Sequence, residues 1–161
     1  MSAATLIEQR TRKLARYLAG KTLRFVTAES CTGGQLSAVL AADAALGVHL
    51  ERGFIVYSVD AKCEMLGVAR EDAERDGAVN PEVAAAMATG ALRTSHADVA
   101  IAITGFCGPR DGREEVGLVY IGAADADAVR VMDFHFGDIG RRDVLNQAVA
   151  AALQIMIDAA S

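Results

Sequence analysis

The sequence predicts an α/β fold: a three-layer α/β sandwich around a mixed, partly parallel sheet. Three observations across its 161 residues carry that expectation. Segments with a helical period alternate with short apolar runs of strand length, the order that lays helices on both faces of a sheet. The last two strand-like runs are consecutive, so an antiparallel portion is expected at one end. The chain is 52% apolar but only 5% aromatic, so its helices are expected to lie close to their neighbours through small side chains. The length suits a single domain spanning residues 1–161, large enough to bury a full core.

Each element follows from its own stretch. "TLIEQRTRKLARYLAGK" sets Leu6, Ile7, Leu14, Tyr17 and Leu18 at helical spacing, with Gly20 suited to the C-terminal cap. "TLRFVTA" reads as the first strand. From Gly33, "GGQLSAVLAADAAL" puts Leu36, Val39, Leu40 and Asp43 on a helical period, and "RGFIVYS" is a second strand. "VDAKCEMLGV" and "REDAERDG" read as short helices. In "NPEVAAAMATGALRTSHA", Asn80 is a fitting N-cap and Pro81 takes the first helical position, where its missing N–H costs nothing. Val83, Met87 and Ala91 form the inward face of that helix. "DVAIAITG" and "VGLVYIGAA" are buried strands. "VRVMDFHF" alternates, with Met132, Phe134 and Phe136 on one side and Val131, Asp133 and His135 on the other. In "RRDVLNQAVAAALQIMIDAA", Leu145, Val149, Ala152 and Met156 mark one face of a long helix.

Composition excludes several functions. A net charge of −5 with no basic stripe argues against nucleic acid as a partner. No stretch approaches the ~18 uninterrupted apolar residues of a membrane span, and the start lacks a secretory apolar segment. A cytoplasmic protein with no membrane association is expected. Cys31, Cys63 and Cys107 are odd in number and lack CxxC spacing, which disfavours a disulfide framework and structural zinc. His49, His96 and His135 show no metal-binding spacing, so neither metal nor cofactor is expected. The Ala-rich helices and acidic balance suit a compact homo-oligomer.

Ligand sites in such sheets gather beyond the carboxyl ends of strands. "AESCTGG", "YSVDAK" and "TGFCGPRDG" all fall there. Ser30 stands between a strand and a helix whose first turn holds Gly33 and Gly34. Helix N-termini expose unpaired N–H groups that suit a phosphate or a developing oxyanion. The plainer reading makes Ser30 or Thr32 an N-cap. A nucleophilic serine needs a base. No histidine is an obvious partner, whereas Lys62, flanked by small or apolar residues, would serve if burial kept it neutral; otherwise it is a surface lysine at a helix start. Tyr57 would then relay the proton or donate to an oxyanion. Thr104, Gly105 and Gly108 either form an opposite wall or simply turn the chain. Cys107, with no histidine or cation beside it in sequence, reads as a small apolar residue.

"TAESCTGG", "RGFIVYSVDAK", "LGV", "GAVNPEVAAAMATGAL", "ADVAIAITGFCGP" and "VGLVYIGA" follow the order found in the carboxy-terminal domain of the competence/damage-inducible protein CinA. Over roughly residues 5 to 158 the chain resembles a stand-alone member of that family, which includes nicotinamide-nucleotide amidases. The resemblance implies a metal-free hydrolase that converts nicotinamide mononucleotide and water to nicotinate mononucleotide and ammonia, with a small-molecule nucleotide as substrate. By the same resemblance Ser30 is the nucleophile, Lys62 its base and Tyr57 an assisting hydroxyl. Thr32, Gly33 and Gly34 shape the pocket, and Thr104 and Gly105 form its opposite wall. Arg141 takes the place of a substrate-binding arginine. The chain departs from the family's "GIAGPGGG" at Phe106, Cys107, Arg110 and Asp111, and Leu145 stands where a second arginine is common. Two other readings remain open: an amidase on a different small amide, and a catalytically silent binding module.

Overall fold

The computed structural model describes residues 1–161. Helix α1 (Ala3–Leu18) starts where the Ser2 hydroxyl accepts the Thr5 N–H at 3.2 Å, and it buries Leu14 and Leu18. Tyr17, expected on the same face, is instead exposed beneath the Lys13 ammonium. Strand β1 (Phe25–Glu29) is buried along its whole length.

The helix expected from Gly33 onward breaks in two, α2 (Gln35–Ala42) and α3 (Ala44–Gly47). Asp43 falls on the helical period but does not continue the helix; its carboxylate accepts the Ala45 and Leu46 N–H groups and so caps the next turn. Strand β2 (Leu50–Ile55) leads through Val56–Ser58 into α4 (Val59–Leu66), which Ser58 caps. A short α5 (Arg70–Glu74) and a 3₁₀ turn (Arg75–Ala78) precede α6 (Pro81–Arg93). The Asn80 side chain accepts the Val83 N–H at 2.9 Å, and Val83, Met87 and Ala91 are buried, as their spacing predicts. Strands β3 (Val99–Gly105), β4 (Leu118–Ala124) and β5 (Val129–His135) run consecutively before the closing helix α7 (Arg141–Ala160).

The five strands form one mixed sheet in the order β2-β1-β3-β4-β5. β1 pairs in parallel with β2 and β3, while β3–β4 and β4–β5 are antiparallel. The chain is therefore the expected three-layer sandwich. One face packs α1, α2, α3 and α7 around Phe25, Ile101, Ile103, Leu153 and Met156. The other packs α4 and α6 around Val26, Leu66, Val83 and Met87. Neighbouring elements, both within a layer and between layers, meet through very small residues. At Gly90 an added Cβ would run into the Leu66 carbonyl oxygen, and at Gly122 it would lie 2.5 Å from that of Ala84. Because β1, β2 and β3 are parallel, their carboxyl ends share one edge of the sheet, and the three polar loops that follow them converge there.

Candidate active site

Ser30 follows β1 directly. Its N–H donates to the Ile103 carbonyl at 3.0 Å, which extends the β1–β3 ladder by one residue and fixes the backbone at the corner. Lys62, on the first turns of α4, reaches back beneath it. Lys62 Nζ lies 2.9 Å from Ser30 Oγ, 3.1 Å from the Val56 carbonyl and 3.4 Å from that of Tyr57. Lys62 is only 2% exposed, so the surface-lysine reading does not hold. No carboxylate bonds the amine. Burial accordingly holds the Lys62 ammonium below the ordinary lysine range, against a smaller opposing pull from the nearby thiols of Cys31 and Cys63. When the amine is neutral, its two N–H groups serve the two carbonyls and the lone pair is left for the Ser30 hydroxyl.

The sequence placed Glu29 in this corner without giving it a task. It is fully buried, and its carboxylate accepts four bonds: Thr32 Oγ1 at 2.8 Å, Leu36 N–H at 2.8 Å, Ser37 N–H at 3.0 Å and Ser37 Oγ at 2.7 Å. Glu29 therefore occupies the N-terminal N–H groups of α2, which sequence reasoning had offered to a ligand. The Thr32 hydroxyl is committed to Glu29, and Gly33 and Gly34, both left-handed, turn the chain into α2. None of Thr32, Gly33 and Gly34 lines the cavity beside Ser30. What the turn leaves open is the pair of N–H groups on Cys31 and Thr32, next along from Ser30, which donate to no backbone carbonyl. The only trace of this role in the sequence is an acid closing a buried strand six positions before the first residue of α2.

A cavity of about 170 Å³ holds Ser30, Cys31, Tyr57, Lys62, Thr104 and Arg141 in its lining. Thr104 and Gly105 form the wall opposite, but the Thr104 hydroxyl is buried and donates to the Ala78 carbonyl at 2.9 Å. That bond holds the 3₁₀ turn, whose Gly77 and following Val79 complete the wall. Asp76 and Ala78 are held there in the left-handed region, at φ 52° and 63°, strain of a kind that tertiary contacts must maintain. The Tyr57 hydroxyl makes no hydrogen bond with Lys62. It accepts from Arg141 at 2.9 Å, while the second Arg141 nitrogen donates to the Gly108 carbonyl at 2.6 Å. Only the Tyr57 carbonyl reaches the amine, so the proton relay expected of its hydroxyl has no direct path. A second cavity of about 330 Å³, lined by Asp111, Glu114 and the 105–109 segment, adjoins the first through Gly105, Cys107 and Arg141. No group of three or more His, Cys, Asp or Glu side chains converges as a metal site, and no helix is long and apolar enough to cross a membrane.

This is an α/β protein in which a serine hydroxyl meets a buried, carboxylate-free lysine at the carboxyl ends of parallel strands. The model of the CinA C-terminal domain matches residues 7–160, and the chain belongs to that family. It is 38% identical to the nicotinamide-nucleotide amidohydrolase PncC of Escherichia coli strain K12 over 92% of this chain and 91% of that one. It is 42% identical to a putative competence-damage inducible protein of Caldicellulosiruptor bescii, over 86% of this chain but 34% of the relative. The chain thus spans about a third of the length of the longer relatives it matches. The crystal structure of competence/damage inducible protein CihA from Agrobacterium tumefaciens superposes with a TM-score of 0.89 at 36% identity, covering 95% of this chain and 94% of that one. An Escherichia coli CinA superfamily protein superposes with a TM-score of 0.84 at 38% identity, covering 92% and 87%.

Proposed function

We propose that the chain is an amidase that hydrolyses nicotinamide mononucleotide to nicotinate mononucleotide and ammonia, with Ser30 as nucleophile and Lys62 as base. The 2.9 Å contact between a buried, carboxylate-free Lys62 and the Ser30 hydroxyl carries this reading, and the near full-length similarity to PncC supports the substrate. Lys62 takes the Ser30 proton as Oγ attacks the carboxamide carbon. The tetrahedral oxyanion is met by the free N–H groups of Cys31 and Thr32. Lys62 then protonates the departing nitrogen, ammonia leaves, and water hydrolyses the acyl ester with Lys62 again as base. The inner cavity suits the pyridine ring, and the adjoining one the ribose phosphate. Arg141, shared by both, meets the phosphate, with Tyr57 holding the guanidinium in place.

A different small amide is the second reading, favoured by Asp111 and Glu114 in the outer cavity, which repel a phosphate. Ammonia release from nicotinamide mononucleotide, measured beside Ser30→Ala, tests the proposal. Release by the natural chain alone supports both substrate and nucleophile. Release by both overturns the Ser30 assignment, and release only from other amides overturns the substrate. Silence toward every amide returns the chain to the binding-module reading. The expected homo-oligomer belongs with this proposal, and light scattering at assay concentration tests it.

A further inference from the structure

We propose that Glu29 is a positioning residue for the proposed amide hydrolysis: through the Thr32 hydroxyl it aims the Cys31 and Thr32 N–H groups at the oxyanion. Its kinetic effect depends on the amidase reading, whereas the tether itself does not. Glu29 closes β1 immediately before Ser30 and is fully buried, and its bonding partners include no cation. A carboxylate so placed must be held by hydrogen-bond donors alone. The direction of each bond follows. The Leu36 and Ser37 N–H groups can only donate. Ser37 Oγ donates to Oε2 at 2.7 Å, so it keeps only lone pairs for Thr27 Oγ1, 2.6 Å away, whose hydroxyl donates to it. Gly53 of β2 leaves room for that pair, since an added Cβ would lie 2.7 Å from Ser37 Oγ and 2.8 Å from Thr27 Oγ1. Thr32 Oγ1 donates to Oε1 at 2.8 Å. Leu36 and Ser37 belong to α2, so Thr32 is the one partner that lies in the turn.

That turn has little else to hold its middle. The Ser30 N–H donates to the Ile103 carbonyl, the Gly33 N–H to that of Ser30 and the Gln35 N–H to that of Thr32, each at 3.0 Å, while the Cys31 and Thr32 N–H groups donate to no backbone carbonyl. Gly33 is left-handed, at φ 57°, and a Cβ there would meet nothing within 4 Å, so no neighbour packs on that side of it. Glu29 supplies the missing restraint. Thr32 is buried and β-branched, so a fixed hydroxyl fixes χ1 and with it the Cα that carries the N–H. An oxyanion hole is effective because its donors need not reorganise at the moment of reaction. A displacement of about 1 Å at a reacting group can cost roughly a hundredfold in rate. A tether to a carboxylate whose other bonds run to the first turn of α2 provides that immobility.

Thr32→Val keeps the branched shape and the backbone N–H and removes only the donor to Glu29, and Thr32→Ser restores that donor. Two measurements on the folded chains test the proposal. Backbone amide relaxation by NMR reads the tether. The order parameters at Cys31 and at position 32 should lie near the rigid value of about 0.85 in the natural chain and in Thr32→Ser, and fall below about 0.6 in Thr32→Val. Ammonia release from nicotinamide mononucleotide reads the consequence. The kcat of Thr32→Val should fall roughly 10- to 100-fold with KM close to that of the natural chain, because the oxyanion exists only after attack. Thr32→Ser should recover most of that loss. A corner equally rigid in Thr32→Val overturns the tether. A looser corner with unchanged kcat, or a loss carried by KM, overturns the positioning role, and so does a loss in Thr32→Ser as large as that in Thr32→Val. If the natural chain releases no ammonia, the amidase reading fails and takes the kinetic role with it, while the relaxation data still decide the tether.

Discussion

Lys62 is the residue on which most of the chemistry depends, because nothing around it compensates a charge. Its amine meets two carbonyls and one hydroxyl, all able to accept from it, and no carboxylate. Replacing it with methionine keeps the length of the side chain and removes the base, so Lys62→Met should lower amide turnover by about 10²- to 10⁴-fold, read from ammonia release under saturating substrate. Turnover of the natural chain should rise with pH and level off above the lowered Lys62 pKa, since the neutral amine is the active form. Stability should carry the same signature. The folded pKa lies below the unfolded value of about 10.4, so between the two the unfolded chain binds more protons and stability rises with pH. Lys62→Met lacks this contribution. The stability of the natural chain relative to the variant should therefore grow as pH climbs from the folded pKa toward about 10.4, and urea titrations at several pH values would check it. A constant difference would mean that Lys62 is not titrating differently in the folded state.

At the scale of single elements, the turn from β1 into α2 is organised by Glu29. Its four acceptances satisfy two hydroxyls and two helix N–H groups with one carboxylate. In Glu29→Gln, whichever oxygen becomes the amide nitrogen faces two donors instead of accepting from them. The hydroxyl of each pair can turn to accept from the amide, so one backbone N–H is stranded and the loss should be about 1–3 kcal/mol, read as a lower urea midpoint at unchanged slope. An unchanged midpoint would mean that the corner tolerates a neutral side chain. The elements themselves were largely legible, since periodicity and caps act over three or four residues: Asn80, Pro81 and the Val83-Met87-Ala91 face all lie where their spacing sets them. The use of Glu29 was not, because a strand-end acid reaching seven and eight positions ahead leaves no periodic trace. Asp43 misled for a related reason: its place in the hydrophobic period and its ability to cap compete, and the cap prevailed.

Across the whole molecule, the three-layer sandwich and the antiparallel portion of its sheet were readable, because a βα alternation ending in consecutive strands leaves few topologies. Contacts made only by closure were not readable: Arg141 reaches Tyr57 across 84 positions, and Lys62 becomes buried only once α4 lies against the sheet. The low aromatic content pointed to closely spaced layers, and Gly122 sets that spacing between β4 and α6. An added Cβ there would lie 2.5 Å from the Ala84 carbonyl oxygen, an atom of the helix backbone that no rotamer change can move. In Gly122→Ala the whole of α6 must therefore shift outward. Overpacking of this kind costs about 1–3 kcal/mol, and at this chain length each kcal/mol corresponds to roughly 2–4 °C in Tm. The shift should also reach the site, because α6 begins at Pro81, immediately after the turn whose Gly77 and Val79 line the Ser30 cavity and whose Ala78 carbonyl accepts from Thr104. The expected result is a lower Tm together with a raised KM, measured on the folded protein well below its melting point. A lower Tm with unchanged kinetics would show that the Thr104–Ala78 bond isolates the site from the layer beneath it, and an unchanged Tm would show that α6 has slack the packing does not suggest.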